Sequence, residues 1–512
     1  MQTGPDTNNL SEIRVRRSGL ITFAIRLGST LTGLAFVVLV TSHLSQADFG
    51  LWQLISRVIG YAIFVVNILN FWTIRYRARG TIIGKTVMLG CAVFSVIVSA
   101  VYVLVSYGVA GSVSGSSLRF FLLAAPQVPL YIFSGVLESI LWGSVPEKAS
   151  FGFGIYEVSK VALGGVLVVV FHLSLTGAIL AIMGAQIVQI IATLVMTPKE
   201  YSDKISLSTL SKMVKTGWLA LLNQLTPLVT NLDFLIVAVL TASTLPLAYY
   251  GVAFTYGTII TYSGWIAYGL YAGILAGVDP KKSTNEVLEL QYLFIIPMVL
   301  GEVVLSYRLL HLFKAAYTAA IPILLILTIA SAFNALSQTF DNVITAIDTT
   351  DATNATDFST YLKSKLFLIA KINITLSVLY LSSVAAVSFF LRSSSFTIFG
   401  YSGTILIGIL WSVSALGMWG VAVALKLRYV RQITKLSVPA RTASALLLGA
   451  IGYSFILYLS NRLIPVSGDE IYQALMILVI GIISISVYAG IILTVSERFR
   501  ILTRYALKSL SK

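Results

Sequence analysis

The sequence predicts an all-α polytopic membrane protein. It has about fourteen transmembrane helices, read as two six-helix lobes in a parallel pseudo-repeat plus two C-terminal helices. Three observations carry this reading. Of 512 residues, 57% are hydrophobic and 11% are charged, against about 25% charged in an average soluble domain. Mean hydropathy is +0.90, and apolar runs long enough to span a bilayer recur from end to end. Finally, the basic residues alternate in density between successive connections.

Apolar windows place the spans at 18–41, 51–71, 84–107, 119–143, 152–172, 174–196, 216–240, 247–276, 289–307, 315–346, 366–391, 398–425, 442–460 and 471–495. The window 315–346 is long enough to be tilted or broken. The single cysteine, Cys91, lies within an apolar run, so no internal disulfide or cysteine metal cluster can form. The net charge of +15 reads as connections facing anionic headgroups rather than as a nucleic-acid surface.

With the N-terminus inside, basic residues on inside connections outnumber those outside by roughly five to one. The outside set is Arg119, Arg308, Lys314, Arg392 and Arg462. The expected location is therefore the cell membrane, with both termini cytoplasmic. The first apolar run is too long for a cleavable leader. The tail after Ser496 reads as an interfacial helix, with Phe499, Leu502, Ala506 and Leu510 on one face.

An internal repeat follows from corresponding positions. Gly50 follows the first span and Gly251 the seventh; Glu138 closes the fourth span and Asp341 the tenth. Each pair is about 200 residues apart, which is six spans, and six is even, so both copies have one orientation. The expected organisation is an N-terminal lobe over 1–198, a linker over 199–215, a C-terminal lobe over 216–430, and the last two spans with the tail over 431–512.

The connections exclude several chemistries. Outside loops are short, the longest being the uncharged stretch around Gly108–Ser117, which leaves no room for the acid- or histidine-bearing loop of a membrane glycosyltransferase. Gly80-Thr-Ile-Ile-Gly84-Lys85-Thr86 is one residue short of a phosphate-binding loop, and no strand precedes it. His43, His172 and His311 are too scattered to form a metal signature. The sequence leads us to expect no enzyme activity, no cofactor and no metal.

Ionisable groups within spans are the functional candidates. Arg26 lies roughly 12 Å into the first span and Arg57 roughly 9 Å into the second, at 1.5 Å per residue. Facing a cavity, they would form a ladder for an anionic linkage, because a guanidinium binds two oxygens and stays charged; facing lipid, they would snorkel to headgroups. Glu157 and Lys160 stand at i, i+3, as a structural ion pair or a cation-sensitive gate. Asp233 and Glu302 lie deep in their spans as candidate gate or coupling acids. Tyr262, Trp265 and Tyr268 recur at i, i+3, i+6, for sugar stacking or for packing. Gly269, Gly273 and Gly277 form a small-residue ridge. Pro126, Pro129 and Pro322 mark kinks.

The opening Arg17-Ser-Gly-Leu-Ile-Thr-Phe-Ala-Ile-Arg26-Leu-Gly, then Leu44-Ser-Gln-Ala-Asp48-Phe49-Gly50-Leu-Trp52, resembles polysaccharide-biosynthesis membrane proteins. These are flippases for lipid-linked oligosaccharides in the MOP (multidrug/oligosaccharidyl-lipid/polysaccharide) exporter superfamily. The loop Arg75-Tyr-Arg77-Ala-Arg79-Gly80 and the segment Leu137-Glu138-Ser-Ile-Leu-Trp-Gly143 are similar too. The resemblance implies a MATE-like pair of six-helix lobes around a cavity and movement of a polyprenyl-(pyro)phosphate-linked glycan between leaflets. In lipid II flippases of this superfamily, arginines on the first two helices line the cavity; Arg26 and Arg57 occupy comparable helices. Those flippases also carry a basic residue on the eighth span, which this sequence lacks.

The expected function is thus a lipid-linked oligosaccharide flippase serving cell-surface glycan assembly by alternating access. Its partners would be the lipid-linked glycan, membrane lipids, and glycosyltransferases or a polymerase of the same pathway, with no nucleic acid. A cation-coupled multidrug or metabolite exporter of the same superfamily is the alternative, and a membrane glycosyltransferase or polymerase a more distant one.

Overall fold

A computed structural model describes residues 35–113 except 79, 118–215 except 145, 225–265, 279–348, 364–392, 402–436, 439–466 and 470–500 except 498, with isolated positions at 28, 32, 33, 217, 267 and 362. Helix dominates, and no strand occurs among the described residues. Eleven described helices are long and apolar enough to cross a membrane. The shorter apolar helix Leu225–Thr241, the helix Leu245–Thr261 and the helical stretch 35–43 stand where three further spans are expected. This is a multi-pass membrane protein.

The chain divides into two compact units, Met1–Thr244 and Leu245–Lys512. In the first, α1 is the helical stretch 35–43, followed by α2 (Gln46–Ile63), a 3-10 turn (Phe64–Val66), α3 (Asn67–Ala78), α4 (Gly84–Ser112), α5 (Leu118–Ala124), α6 (Gln127–Ser144), α7 (Pro146–Gly164), α8 (Ser174–Met196), α9 (Leu207–Lys215), α10 (Leu225–Asn231) and α11 (Asp233–Thr241). The helix α6 is the hub, packed against α2, α3, α4, α7 and α8. Ser45 starts α2 by accepting from the Asp48 backbone N–H at 3.1 Å, which satisfies an otherwise orphaned donor. Pro126 breaks the expected fourth span into α5 and α6 with a turn at Ala125 and Pro126.

The second unit contains α12 (Leu245–Thr261), α13 (Pro280–Phe313), α14 (Ile321–Ala346), α15 (Lys365–Leu391), α16 (Gly403–Ile433), α17 (Ala440–Leu463) and α18 (Glu470–Val495). Its hub is α14, packed against α12, α13, α15 and α16. In sequence order the hubs are the fourth helical span of each expected repeat, and they carry Glu138 and Asp341. Pro322 does not kink α14: it occupies the first turn, behind a 3-10 lead-in over Ala315–Ala320, where its missing N–H has no helical partner to lose. The expected eighth span differs as well. Its α-helix ends at Thr261, and a 3-10 turn follows over Tyr262–Trp265.

The two C-terminal helices α17 and α18 pack on each other and on α13, through Leu305, Leu446, Tyr453, Leu457, Ile480 and Tyr488. Tyr453 and Tyr488 meet edge to face at 5.9 Å. Their other faces expose Leu447, Ile451, Phe455, Leu478, Ile482 and Ile485, as expected of helices in contact with acyl chains.

Candidate functional site

In the first unit the seventh span is interrupted. α10 ends at Asn231 and α11 begins at Asp233, with a one-residue turn at Leu232 between them. Arg57, on α2, lies beside this break. Its Nη1 donates to Asn231 Oδ1 at 2.6 Å, and its guanidinium carbon stands 4.2 Å from the centroid of Phe234. One turn further along α2, the Tyr61 hydroxyl donates to the Asn231 carbonyl oxygen. A guanidinium stays charged and presents its N–H donors in a planar fork. Asp233 is buried, and its Oδ1 accepts from the Phe234 N–H at 2.7 Å. Nothing in the sequence distinguishes Asn231, because an asparagine in an apolar run carries no charge signal.

Gly60 stands three residues beyond Arg57, on the same side of α2, and lines a cavity of about 360 Å3. The cavity has a polar lining: Asn67 and Asn70 of α3, Ser134 and Glu138 of α6, Tyr156 of α7 and Gln189 of α8, with Phe64 and Phe153 among its apolar walls. The 3-10 turn at Phe64–Val66 helps to shape it, with Asn67 Nδ2 donating to the Phe64 carbonyl at 3.0 Å. Asn70 Oδ1 is buried without a hydrogen-bond partner, an acceptor that a bound hydroxyl would satisfy. Glu138 accepts from Trp142 Nε1 at 3.1 Å. Amide, hydroxyl and carboxyl groups beside aromatic rings match the chemistry of a polar, hydroxyl-rich ligand.

Glu157 and Lys160 meet at 2.9 Å, both on α7. The other carboxylate oxygen accepts from Thr32 Oγ1 at 3.4 Å, and the ammonium lies 4.9 Å from the Tyr156 ring centroid and 5.3 Å from that of Phe36. Both charges are thus engaged within the unit. In the second unit, Glu302 on α13 is buried and accepts from Thr328 Oγ1 of α14 at 2.7 Å. Tyr262 lies partly exposed in its 3-10 turn. Arg26, Tyr268 and the glycines Gly269, Gly273 and Gly277 lie outside the described residues, as does the side chain of Trp265.

Two basic residues assigned to loops by charge counting are buried within helices. Lys426 belongs to α16, which continues to Ile433, and is fully buried. Its Nζ donates to Ser337 Oγ at 2.6 Å and lies 2.7 Å from Asp341 Oδ1. Arg308 belongs to α13 and is also fully buried. Its Nε donates to Asn461 Oδ1 at 2.6 Å and its Nη2 to the Asn461 carbonyl at 3.0 Å and to the Ile464 carbonyl. It thereby satisfies carbonyls at the end of α17. No group of three or more His, Cys, Asp or Glu side chains that could hold a metal ion occurs among the described residues.

No protein-family model and no curated protein matches the sequence. Solved structures do match the fold. The lipid II flippase MurJ in an inward closed conformation is similar at a TM-score of 0.61 and 14% identity, over 93% of this chain and 99% of that one. An inward-facing multidrug resistance MATE family transporter of the MOP superfamily is similar at a TM-score of 0.55 and 13% identity, over 81% of this chain and 98% of that one. Both are transporters rather than enzymes. The chain has the fold shared by these two transporters.

Proposed function

We propose that the protein is a flippase that moves a polyprenyl-(pyro)phosphate-linked oligosaccharide from the inner to the outer leaflet by alternating access. The observation that carries this reading is the pairing, within one unit, of a half-buried guanidinium with a polar cavity. Arg57 lies among Asn231, Phe234 and Tyr61, and one turn away opens a cavity whose Asn70 acceptor has no protein partner. A phosphate would be attracted to the Arg57 guanidinium, and sugar hydroxyls would take the amide and hydroxyl groups beyond it. Arg26 would supply the second cation. Glu157, Lys160, Asp233 and Glu302 would act as gate or coupling groups, and Tyr262, Trp265 and Tyr268 as stacking surfaces for the glycan. The likeness to a lipid II flippase over nearly the whole length of both chains supports the reading.

The test is flipping in proteoliposomes. A fluorescent polyprenyl-pyrophosphate oligosaccharide is reconstituted with the purified protein, and its leaflet accessibility is followed for wild type, Arg57→Ala and Asn70→Leu. Flipping by wild type that falls about tenfold in Arg57→Ala, about 1.4 kcal/mol of barrier, supports the reading. Wild-type flipping that neither variant alters removes both residues from the substrate site. Absence of flipping together with cation-driven dye efflux identifies an exporter instead, for which the buried carboxyl of Glu302 would be the first coupling candidate.

A further inference from the structure

In the second unit the N-terminus of α13 meets the C-terminal end of α16. Asn285 Nδ2 donates to the Lys435 carbonyl at 3.1 Å, and Thr434 Oγ1 to the Lys281 carbonyl at 3.2 Å. Beside this junction lies a cavity of about 600 Å3 lined by Asp279, Lys281, Asn285, Arg431, Thr434 and Lys435 among others. Three of these side chains are cations and one is an anion. The anion is occupied structurally, because Asp279 caps α13, with Oδ1 accepting from the Lys281 N–H at 3.0 Å. The helix ends that meet here carry opposite partial charges and largely cancel, so the cavity is net positive, with Lys281, Arg431 and Lys435, all exposed, against the one carboxylate. Beyond them no acidic residue follows until Asp469.

The matching corner of the first unit, in chain order, is built with the opposite charge. There the N-terminus of α4 receives a carboxylate from the segment after α8. Asp203 Oδ1 accepts from the Lys85 N–H at 2.7 Å, and Oδ2 accepts from the Thr86 N–H at 3.1 Å and Thr86 Oγ1 at 3.0 Å. The neighbouring Glu200 takes Arg77, Nε to Oε2, at 2.6 Å. One unit thus supplies its own anions at this corner, while the other presents cations around an open cavity.

We propose that the Lys281–Arg431–Lys435 cavity binds the phosphate of an anionic phospholipid headgroup. A planar guanidinium flanked by two ammonium groups suits a phosphate with several acceptor oxygens. The cavity also stands at the right level, because one membrane-spanning segment begins at Thr284 and another ends at Ile433, so the three cations sit where headgroups lie. The junction uses the backbone carbonyls of Lys281 and Lys435, so their side chains can be replaced without cutting it. The proposal stands whether or not the protein is a flippase.

The test places the full-length protein in nanodiscs of zwitterionic phosphatidylcholine and titrates labelled phosphatidylglycerol. The variant Lys281→Gln/Arg431→Gln/Lys435→Gln is compared with Lys212→Gln/Lys215→Gln, which removes cations from α9 of the other unit. Affinity is expected to fall about fivefold per cation removed from the cavity and to hold in the α9 variant, with thermal midpoints unchanged in both. Equal loss in the two variants would overturn the proposal, since general surface charge would then account for binding. Inorganic phosphate is the second arm. Phosphatidylglycerol that resists displacement by millimolar phosphate supports a lipid ligand, whereas displacement at comparable concentrations overturns it in favour of a soluble phosphate site.

Discussion

Lys426 Nζ lies 2.7 Å from Asp341 Oδ1 across the α14–α16 contact, with the lysine side chain fully buried and the aspartate 24% exposed. The ammonium also holds Ser337 Oγ, and Asn373 Nδ2 of α15 reaches Asp341 Oδ2 at 3.2 Å, so one ion pair ties three helices. Removing the lysine leaves the Asp341 carboxylate without its counter-charge at the helix contact. Lys426→Met is therefore expected to cost about 3–5 kcal/mol. The double variant Lys426→Met/Asp341→Leu should recover most of that loss, because apolar packing replaces the pair. Thermal unfolding of the purified variants compares them, and a double variant no more stable than the single one would show that the pair does not set stability.

Arg308 fixes the end of α17. Its guanidinium supplies donors in a planar fork to Asn461 and to the Ile464 carbonyl, and a lysine cannot reproduce that fork from one point charge. Arg308→Lys is expected to lose about 1.5–3 kcal/mol. The loss should appear locally as faster amide hydrogen exchange over 461–466, while exchange in α14 keeps its wild-type rate. Uniform acceleration across both regions would contradict a local role.

The spans were legible in the sequence because a bilayer demands long apolar helices. The pair of acids on the hub helices was legible too, since Glu138 and Asp341 recur at one spacing. Lys426 and Arg308 were not. Charge counting places a cation near a span end into the adjoining loop, yet each of these has a partner on a helix distant in sequence: Asp341 for Lys426 and Asn461 for Arg308. The break at Asn231 was hidden for a related reason. Pro227 lies one turn earlier within α10, but the turn itself falls at Leu232, and Asn231 becomes informative only beside Arg57.

Gly84 shows how a motif-like sequence can serve packing instead. It opens α4 against the segment after α8, and a Cβ there would run into the Glu200 backbone carbonyl. Backbone cannot swing aside as a side-chain tip can, so Gly84→Ala is expected to cost about 1–3 kcal/mol and to loosen the Asp203 cap on Lys85 and Thr86. Asp203→Asn, which removes the charge and turns one accepting oxygen into an NH2 donor, should cost about 1–3 kcal/mol. Thermal midpoints of the two variants give the order. A Gly84→Ala protein as stable as wild type would mean that the segment shifts freely.

Asn231 connects packing to the proposed transport. Its Oδ1 engages Arg57 and its carbonyl oxygen accepts from Tyr61, so the side chain sets the direction of the guanidinium without adding charge. Asn231→Leu leaves the cation in place and removes that one acceptor. If Arg57 binds the anionic linkage, that variant should flip substrate several-fold more slowly than wild type, and Arg57→Ala/Asn231→Leu should be no slower than Arg57→Ala alone. Such non-additivity is the signature of two residues acting as one unit. Independent, multiplying losses would mean that Asn231 acts through the break between α10 and α11 rather than through the arginine. The same series in a dye-efflux assay separates a substrate contact from general damage, because a residue that orients a phosphate ligand should leave efflux of an uncharged dye unchanged.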